Sequence, residues 1–225
     1  MDVLLINPNS RKHNSVKELP LLTPPINLMY VAQSLINNSY NAKIIDAFAL
    51  NMSQEDILNK IEQENVKIVG FPLYSCDLTM MHELTDKIKS LNKDIKIFFA
   101  GHHVSALYKD IMLQFPNVDY LIRGEGEFVA VDLLNNLEKD APLNEIKGLS
   151  YKEKGKIFHN PERRQTEDLD IIPIPSRDLI DRNLYYSRMS KNKRVDVMIT
   201  SRGCPYRCTF CYKLNDEFRS YREVI

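Results

Sequence analysis

The chain has 225 residues, of which 44% are hydrophobic and 27% are charged. This is the composition of an ordinary folded domain, and it excludes a low-complexity or disordered chain. Lysine plus arginine equals aspartate plus glutamate at 30 each, so no net charge favours a nucleic acid or an anionic membrane surface as a partner.

Several features predict a cytoplasmic protein without membrane contact. The sequence has no apolar run long enough to span a bilayer, and residues 1–6 read as a strand rather than as a signal peptide with a basic start. Three of the four cysteines are crowded between residues 204 and 211. Such crowding favours metal ligation in a reducing compartment over a disulfide framework.

The first half of the chain alternates short apolar runs with amphipathic helical patterns. One helical stripe carries Leu28, Val31 and Leu35, and another follows a capping-box start at Ser53 and Asp56. The apolar runs, of the kind buried on both faces of a parallel sheet, are residues 3–6, 43–45, 68–71, 95–99 and 120–122. Five such units predict an α/β fold with a flavodoxin-like doubly wound parallel sheet of strand order 2-1-3-4-5.

Ligands of doubly wound sheets bind at the carboxyl ends of the strands, so the loops after the strands form the candidate site. They contain glycines, which let a backbone approach a ligand, and small hydroxyl residues. In the fifth loop, Glu125 and Glu127 stand before a predicted helix, where carboxylates either cap the helix or contact a ligand. Cys76, after the third strand, is interpreted as a small buried residue near the ligand face.

The pattern changes after Leu137. Residues 148–159 alternate in polarity and turn at Lys154 and Gly155, which predicts a β-hairpin appended to the sheet. Residues 160–176 contain three prolines and a charged run, which predict an extended linker that crosses the surface.

A second domain is predicted to begin near the end of the sequence. Residues 195–200 read as a new buried strand, and residues 218–225 read as the start of a helix. The predicted organisation is a doubly wound domain at 1–142, the hairpin at 143–160, a linker at 161–194 and the start of another domain at 195–225.

The loop after the predicted strand at 195–200 carries Cys204, Cys208 and Cys211, separated by three and then two residues. Thiolates are soft ligands that favour zinc, copper(I) or iron–sulfur clusters. A structural zinc site normally has four protein ligands, whereas a cubane held by three cysteines keeps one iron open. The alternatives are a zinc site completed by Cys76 or by a histidine, and a chance cluster of thiols.

This loop resembles the cluster loop of radical S-adenosylmethionine (SAM) enzymes. The resemblance rests on the cysteine spacing, the aromatic Phe210 before the last cysteine and the lead-in at residues 200–203. It implies that Cys204, Cys208 and Cys211 hold a [4Fe-4S] cluster and that Phe210 lies beside the adenine of SAM. In this family the open iron binds SAM, and an electron from the cluster generates a 5′-deoxyadenosyl radical.

The preceding sheet resembles the cobalamin-binding domain of one radical SAM class. The resembling stretches are residues 24–25, 100–105, 118–127 and 174–179, although Asn27 and Ala100 stand where that class usually has glycine. The resemblance implies that the nucleotide tail enters between the first and third strand loops and that the corrin lies across the third, fourth and fifth. The implied cofactor contacts are Asn7, Tyr74, Ser75, Gly101, His103, Ser105, Gly124, Glu125 and Gly126.

No histidine ligand to the cobalt is expected. Residues 7–15 lack the Asp-x-His-x-x-Gly motif of methionine-synthase-like domains, and His13 is the only histidine among them. Cobalamin is therefore predicted to bind base-off without a histidine ligand.

These resemblances imply the N-terminal part of a cobalamin-dependent radical SAM enzyme that cleaves SAM reductively and transfers a methyl group to an unreactive carbon. The substrate is a small molecule or a peptide, and the reductant a protein such as flavodoxin or ferredoxin. A full (β/α)₈ barrel takes roughly 250 residues, so the chain is expected to hold only the first strand and cluster loop of a barrel and to be inactive alone. No catalytic side chain is assigned. The alternatives are a non-catalytic cofactor-binding module with a structural or vestigial cysteine loop, or a cyclase or rearrangement enzyme.

Overall fold

The computed structural model describes residues 2–9, 19–189, 194–206, 208–211 and 219–223. The strands in these ranges are β1 (Asp2–Asn7), β2 (Leu21–Leu22), β3 (Asn41–Asp46), β4 (Ile68–Pro72), β5 (Lys96–Ala100), β6 (Tyr120–Ile122), β7 (Leu149–Glu153), β8 (Lys156–His159), β9 (Tyr186–Ser187), β10 (Ser201–Gly203) and β11 (Arg219–Tyr221). The helices are α1 (Ile26–Asn37), α2 (Gln54–Glu64), α3 (Leu78–Leu91), α4 (His102–Gln114) and α5 (Gly126–Glu138). Among these described helices, none has the length and apolar character that a bilayer crossing requires.

Within the described ranges, seven strands form one sheet in the order β3-β1-β4-β5-β6-β7-β8. The strands from β3 to β6 are parallel and follow the predicted order 2-1-3-4-5, so the flavodoxin-like doubly wound fold is confirmed. The predicted hairpin is also confirmed, since β7 pairs antiparallel with β6 and with β8. Its turn places Lys154 and Gly155 at positive φ, as a tight hairpin turn requires.

The sheet is covered on both faces, because its strands alternate apolar side chains between two layers of helices. Phe99 points to the layer that includes Met81 of α3 and Ile111 of α4. Its neighbour Phe98 points to the opposite layer, which includes Leu133 of α5. Four of the five apolar runs are therefore the buried strands that they were predicted to be. The run at 43–45 forms a strand as predicted but is not buried, because β3 lies at the edge of the sheet, where Lys43 is exposed and Ile44 and Ile45 are half-buried.

The segment after the hairpin returns to the sheet domain. Leu169 and Ile172 are buried against Tyr30 of α1. Further along, β9 pairs with β2, and the Tyr185 side chain is buried with its hydroxyl donating to Asp46 Oδ2 over 3.0 Å. The predicted linker is thus anchored at several points on the domain that it leaves.

Two secondary-structure predictions near the cysteines are wrong. Residues 195–200 form no strand and are not buried, and β10 begins only at Ser201. Of the predicted helix at 218–225, the structure describes residues 219–223, and β11 lies there instead. The physical reason is pairing: a strand needs a neighbouring backbone, and β11 lies antiparallel to residues 201–203 rather than to the apolar run before them.

Candidate functional site

A cavity of about 710 Å³ opens at the carboxyl ends of β4, β5 and β6, the edge at which doubly wound sheets bind ligands. Its walls come from the loops after these strands, the start of α1, residues 162–165 and the segment that carries the cysteines. Apolar side chains such as Leu28 and Val31 line it together with several charged ones. The size and the mixed lining suit a cofactor-sized ligand.

The loops after β5 and β6 are tied together by one side chain. Ser105 Oγ donates to the Gly101 carbonyl and accepts from the Gly124 amide, both over 3.0 Å. Gly101 and Gly124 have φ values of +112° and +75°, which other residues rarely adopt. All three line the cavity with Gly126, so these predicted contacts lie together at one wall.

The other residues predicted to contact a cofactor are divided between the cavity and its surroundings. Tyr74 lines the cavity and is 47% exposed. Ser75 Oγ and His103 Nδ1 are hydrogen-bonded to each other over 3.0 Å, outside the cavity lining. Asn7 also lies outside it and donates from its side chain to Asp46 Oδ1 over 2.8 Å. Contacts of Ser75, His103 and Asn7 with a cofactor stay predictions, and His13 lies outside the described residues.

Glu125 and Glu127 bind an arginine instead of capping α5. Glu125 stands at the N-cap position, yet its side chain makes no capping hydrogen bond. Arg202 Nη1 lies 3.2 Å from Glu125 Oε1, and Arg202 Nη2 lies 2.5 Å from Glu127 Oε1. The Thr166 amide donates to the second oxygen of Glu125 over 2.8 Å. We call Arg202, Glu125 and Glu127 the clamp. It joins the loop after β6 to the stretch from Ser201 to Cys211, which we call the cysteine segment.

Burial governs the electrostatics of the clamp. It raises the pKa of Glu125, and the Thr166 amide and Arg202 only partly offset this. Burial also works to lower the pKa of Arg202, but the hydrogen bond and charge of Glu127, together with Glu125, outweigh it, so the pKa of Arg202 is raised. The guanidinium therefore stays charged throughout the physiological range.

The cysteines lie at the mouth of the same cavity. Cys204 and Cys211 line it, whereas Cys208 is exposed and lies outside the lining. The Cys211 amide donates to the Cys208 carbonyl over 3.1 Å, and Phe210 is 92% exposed. All four cysteines of the chain are described, and none forms a disulfide. Among the described side chains, no three His, Cys, Asp or Glu groups lie close enough together to hold a metal ion.

The interpretation of Cys76 as a buried residue is wrong. Cys76 is exposed, and its thiol donates to Asp77 Oδ1 over 3.3 Å. It precedes α3 at a turn, where the neighbouring Asp77 takes the buried position. The buried residue of this turn is therefore the charged Asp77 and not the more hydrophobic Cys76.

Residue-by-residue reasoning missed the arginines of the site. Arg202 stands in the motif at 200–203, which signalled the cysteine loop but no ion pair. Arg123 is 5% exposed, stacks 4.3 Å above the Tyr108 ring and donates to the carbonyls of Leu149 and Asn160. Burial lowers its pKa. Through these two hydrogen bonds Arg123 joins the cavity wall to the hairpin. Local sequence patterns do not predict this contact.

The residues of the cavity have the chemical character that the two implied cofactors, cobalamin and an iron–sulfur cluster, require. Positive-φ glycines leave part of the wall after β5 and β6 without side chains, and a Cβ on Gly101 would meet only the Leu73 backbone, at 3.6 Å or more. A large flat ring with polar edges needs such an open wall beside polar donors. Three thiols on one short turn at the cavity mouth have the ligand chemistry of an iron–sulfur cluster.

Comparisons with known proteins identify the family of the chain. The family model for the B12 binding domain matches residues 15–134, more than half of the chain. The uncharacterized methyltransferase PH0819 of Pyrococcus horikoshii is 33% identical over 212 residues, which are 94% of this chain and 45% of that protein. The anaerobic magnesium-protoporphyrin IX monomethyl ester cyclase of Rubrivivax gelatinosus is 30% identical over 216 residues, 94% of this chain and 38% of that protein.

A solved structure has the same fold. The cobalamin-dependent S-adenosylmethionine radical enzyme OxsB, with aqua-cobalamin and S-adenosylmethionine bound, superposes with a TM-score of 0.77 at 24% identity, over 98% of this chain and 29% of that one. The chain thus spans less than half the length of each of these proteins. The predicted resemblance to the N-terminal part of cobalamin-binding radical SAM enzymes is confirmed, and the chain belongs to the B12 binding domain family.

Proposed function

We propose that the chain binds cobalamin in the cavity at the carboxyl ends of β4, β5 and β6, and a SAM-binding [4Fe-4S] cluster at Cys204, Cys208 and Cys211. The whole enzyme then transfers a methyl group to an unreactive carbon of a small molecule or peptide. The observation that carries the proposal is that one cavity has both sets of residues in its lining, Ser105 and Gly124 together with Cys204 and Cys211.

The chain's own residues would hold and orient the two groups. Gly101, Gly124 and Gly126 present backbone to the ring, Tyr74 supplies an exposed aromatic face, and Ser105 keeps the loops after β5 and β6 at a constant separation. When bound, the cluster and SAM supply one-electron cleavage chemistry, and cobalamin supplies a transferable methyl group. The electron is proposed to come from a protein such as flavodoxin or ferredoxin.

Methyl transfer is favoured by the name of the relative at 33% identity, whereas the relative at 30% identity is named a cyclase. Both kinds of chemistry begin at the same site, so the residues described here do not separate them. Methyl transfer predicts that label from the methyl group of SAM reaches the product of the whole enzyme. A product without label would instead support cyclisation or rearrangement.

Anaerobic reconstitution with iron and sulfide tests the cluster. The intact chain should take up four irons per molecule and show the broad absorption of a [4Fe-4S] cluster, because three thiolates on one turn suffice to hold it. Alanine variants of Cys204, Cys208 or Cys211 should each lose the cluster. The matched control is Cys76→Ala, which should keep it because Cys76 does not belong to the loop at 204–211 and does not line the cavity. Stoichiometric zinc with no cluster would refute this half of the proposal.

Titration with hydroxocobalamin tests the cofactor cavity. The chain should bind it, and Ser105→Ala should bind it about thirtyfold more weakly, because the variant loses two hydrogen bonds that align the binding wall, at roughly 1 kcal/mol each. The matched control is Ser90→Ala, an exposed serine of α3 that bonds only within its own helix. Absence of binding to the intact chain would refute cobalamin as the ligand and would leave the cluster test unaffected.

A further inference from the structure

The loop after β6 and the cysteine segment meet in a buried ionic contact. We propose that Arg202 is a positioning residue: the clamp that it forms with Glu125 and Glu127 holds the cysteine segment in one place against the cofactor wall of the cavity. The proposal rests on the proposed function only where it names the cofactor wall and the cluster ligands. The contacts of the clamp itself are observed without any cofactor.

The geometry of the clamp is suited to fixing a position. The two terminal nitrogens of Arg202 reach two different carboxylates, at 3.2 Å and 2.5 Å. The planar guanidinium prescribes the direction of both contacts, which a lysine ammonium does not. The side chains of Arg202, Glu125 and Glu127 are only 18%, 9% and 6% exposed, so water screens the contact weakly.

A second layer of contacts surrounds the clamp. The Tyr30 ring is buried in α1 with the guanidinium of Arg202 at 5.2 Å and that of Arg222 at 5.6 Å from its centre. Both distances are within the range of cation–π attraction. Arg222 also donates to the Ile172 carbonyl over 2.9 Å. Arg202 of β10 and Arg222, the residue after β11, therefore contact the same ring of α1.

The linker is part of the same network. The Thr166 amide donates to Glu125, and the Thr166 carbonyl accepts from Ser220 Oγ of β11 over 2.7 Å. Glu125 thus contacts the linker and β10 at once. A displacement of the loop after β6 is transmitted to both, and through Arg202 to the neighbouring Gly203 and Cys204.

The position of the clamp along the chain connects it to the site. Arg202 lies two residues before Cys204, and both line the cavity. Glu125 and Glu127 flank Gly126, and all three line the same cavity. The clamp is therefore an ionic contact that joins the proposed cofactor wall to the segment that carries the proposed cluster ligands.

The expected consequence of breaking the clamp is local. Removing one partner of a buried ion pair leaves an uncompensated charge, which the segment relieves by moving toward water. The sheet keeps its own apolar core, so it should remain folded. Arg202→Gln is therefore expected to broaden the range of positions of the cysteine segment without unfolding the chain.

Distance measurement between two spin labels tests this directly. The native exposed cysteines Cys76, on the sheet domain, and Cys208, on the cysteine segment, accept the labels after Cys204 and Cys211 are replaced by serine in the full chain. With Arg202 present, pulsed electron resonance should give one narrow distance distribution. Arg202→Gln should make it about twofold broader, because the buried carboxylates lose their shared partner.

Two further variants separate positioning from general destabilisation. Arg202→Lys keeps the positive charge but loses the planar guanidinium that contacts both carboxylates, so it should give a distance distribution of intermediate width. Glu127→Gln removes one carboxylate charge and should also broaden the distribution, which gives a second test if Arg202→Gln does not fold. The matched control is Arg182→Gln, which removes an exposed 3.6 Å contact with Asp196 but leaves Asp196 paired with Arg177 at 2.9 Å, so the width should be unchanged.

The result that would overturn the proposal is an unchanged width in folded Arg202→Gln and Glu127→Gln, or equal broadening in Arg182→Gln. The measurement uses neither cobalamin nor iron. Failure of the cofactor assays therefore leaves the clamp test standing, and failure of the clamp leaves the cofactor assays standing.

Discussion

The sheet and the cysteine segment are held in place by different forces. The sheet carries apolar helices on both faces, and side chains such as Leu4, Phe71 and Phe99 have 1% exposure or less. The β10–β11 pair has little buried apolar surface of its own, and Met198, Tyr206 and Phe210 in and around it are more than half exposed. Its position depends on a few charged and aromatic contacts.

Because of this difference, the stability of the sheet domain and the position of the cysteine segment depend on different residues. Burial of apolar area is spread over many residues and tolerates small changes in any one of them. An ionic clamp is concentrated in three side chains, so one substitution can release it. We therefore expect substitutions in the sheet to change the free energy of unfolding, and substitutions around the clamp to change where the cysteines are.

The largest effect is expected from Phe99→Ala. Phe99 is fully buried and packs edge-on against Phe115, with ring centres 5.1 Å apart. Its loss should lower the free energy of unfolding by about 3–5 kcal/mol, because a cavity remains in the core. Urea unfolding followed by circular dichroism measures this. Leu113→Ala, at a residue 71% exposed, is the control and should change it by less than about 0.5 kcal/mol. Equal effects of the two would show that the core is not where stability resides.

The next effect is expected from Gly70→Ala in the centre of the sheet. A Cβ at this position would lie 2.1 Å from the Phe98 ring, so the ring must move within a packed layer. The free energy of unfolding should fall by about 1–3 kcal/mol. Combining the change with Phe98→Leu should recover part of the loss, and additivity of the two substitutions would contradict the steric explanation.

A smaller and local effect is expected from Tyr30→Leu. The substitution removes the ring that faces Arg202 and Arg222, a loss of about 1–2 kcal/mol. Hydrogen exchange read by mass spectrometry should accelerate in residues 194–206 and 219–223, while β4 and β5 keep their protection. Tyr30→Phe keeps the ring and should behave like the native chain. Loss of protection throughout the sheet would contradict the division between the two regions.

The smallest expected effect is the pH dependence that Asp46, at the end of β3, gives to the free energy of unfolding. Burial raises the pKa of this carboxyl above its ordinary value of 3.8, against hydrogen bonds from the Ala49 amide, Asn7 and Tyr185 that act to lower it. The folded state therefore holds the proton more tightly than the unfolded chain does. The contribution of Asp46 to stability falls as pH rises from its ordinary pKa through its raised one.

Asp46→Asn should remove this slope. The amide can still accept from Asn7 and Ala49, and its nitrogen can donate to the Tyr185 oxygen, so the network is kept without the charge. Urea unfolding in a series of buffers between about pH 4 and 7 compares the two chains. A slope that is the same in both would show that another group titrates in this range.

Local patterns anticipated most of the sheet domain. The capping box was predicted from two residues and is present, since Asp56 Oδ2 accepts from the Ser53 amide over 2.8 Å and Ser53 Oγ accepts from the Asp56 amide over 3.1 Å. The hairpin turn at Lys154 and Gly155 was also predicted correctly. Such features depend on neighbours in the chain, and those neighbours are visible in a sequence.

The clamp shows what local patterns leave open. Glu125 and Arg202 are 77 positions apart, and before folding each has a plausible local role, as a helix cap and as part of a motif. The apolar run at 195–200 shows the same limit, because the choice between a strand and an unpaired segment depends on which backbone lies beside it.

Periodicity in the sequence predicted the alternation of strands and helices, and the number and length of these units favoured the strand order that the sheet has. The spacing of Cys204, Cys208 and Cys211 marked them as candidate ligands, and this role stays a prediction. The contact of Arg202 with Glu125 and Glu127, in the lining of the cavity that Cys204 also lines, forms only when the chain folds. The physical reason is that a buried charge is stable only where opposite charges surround it, and folding alone brings those charges together.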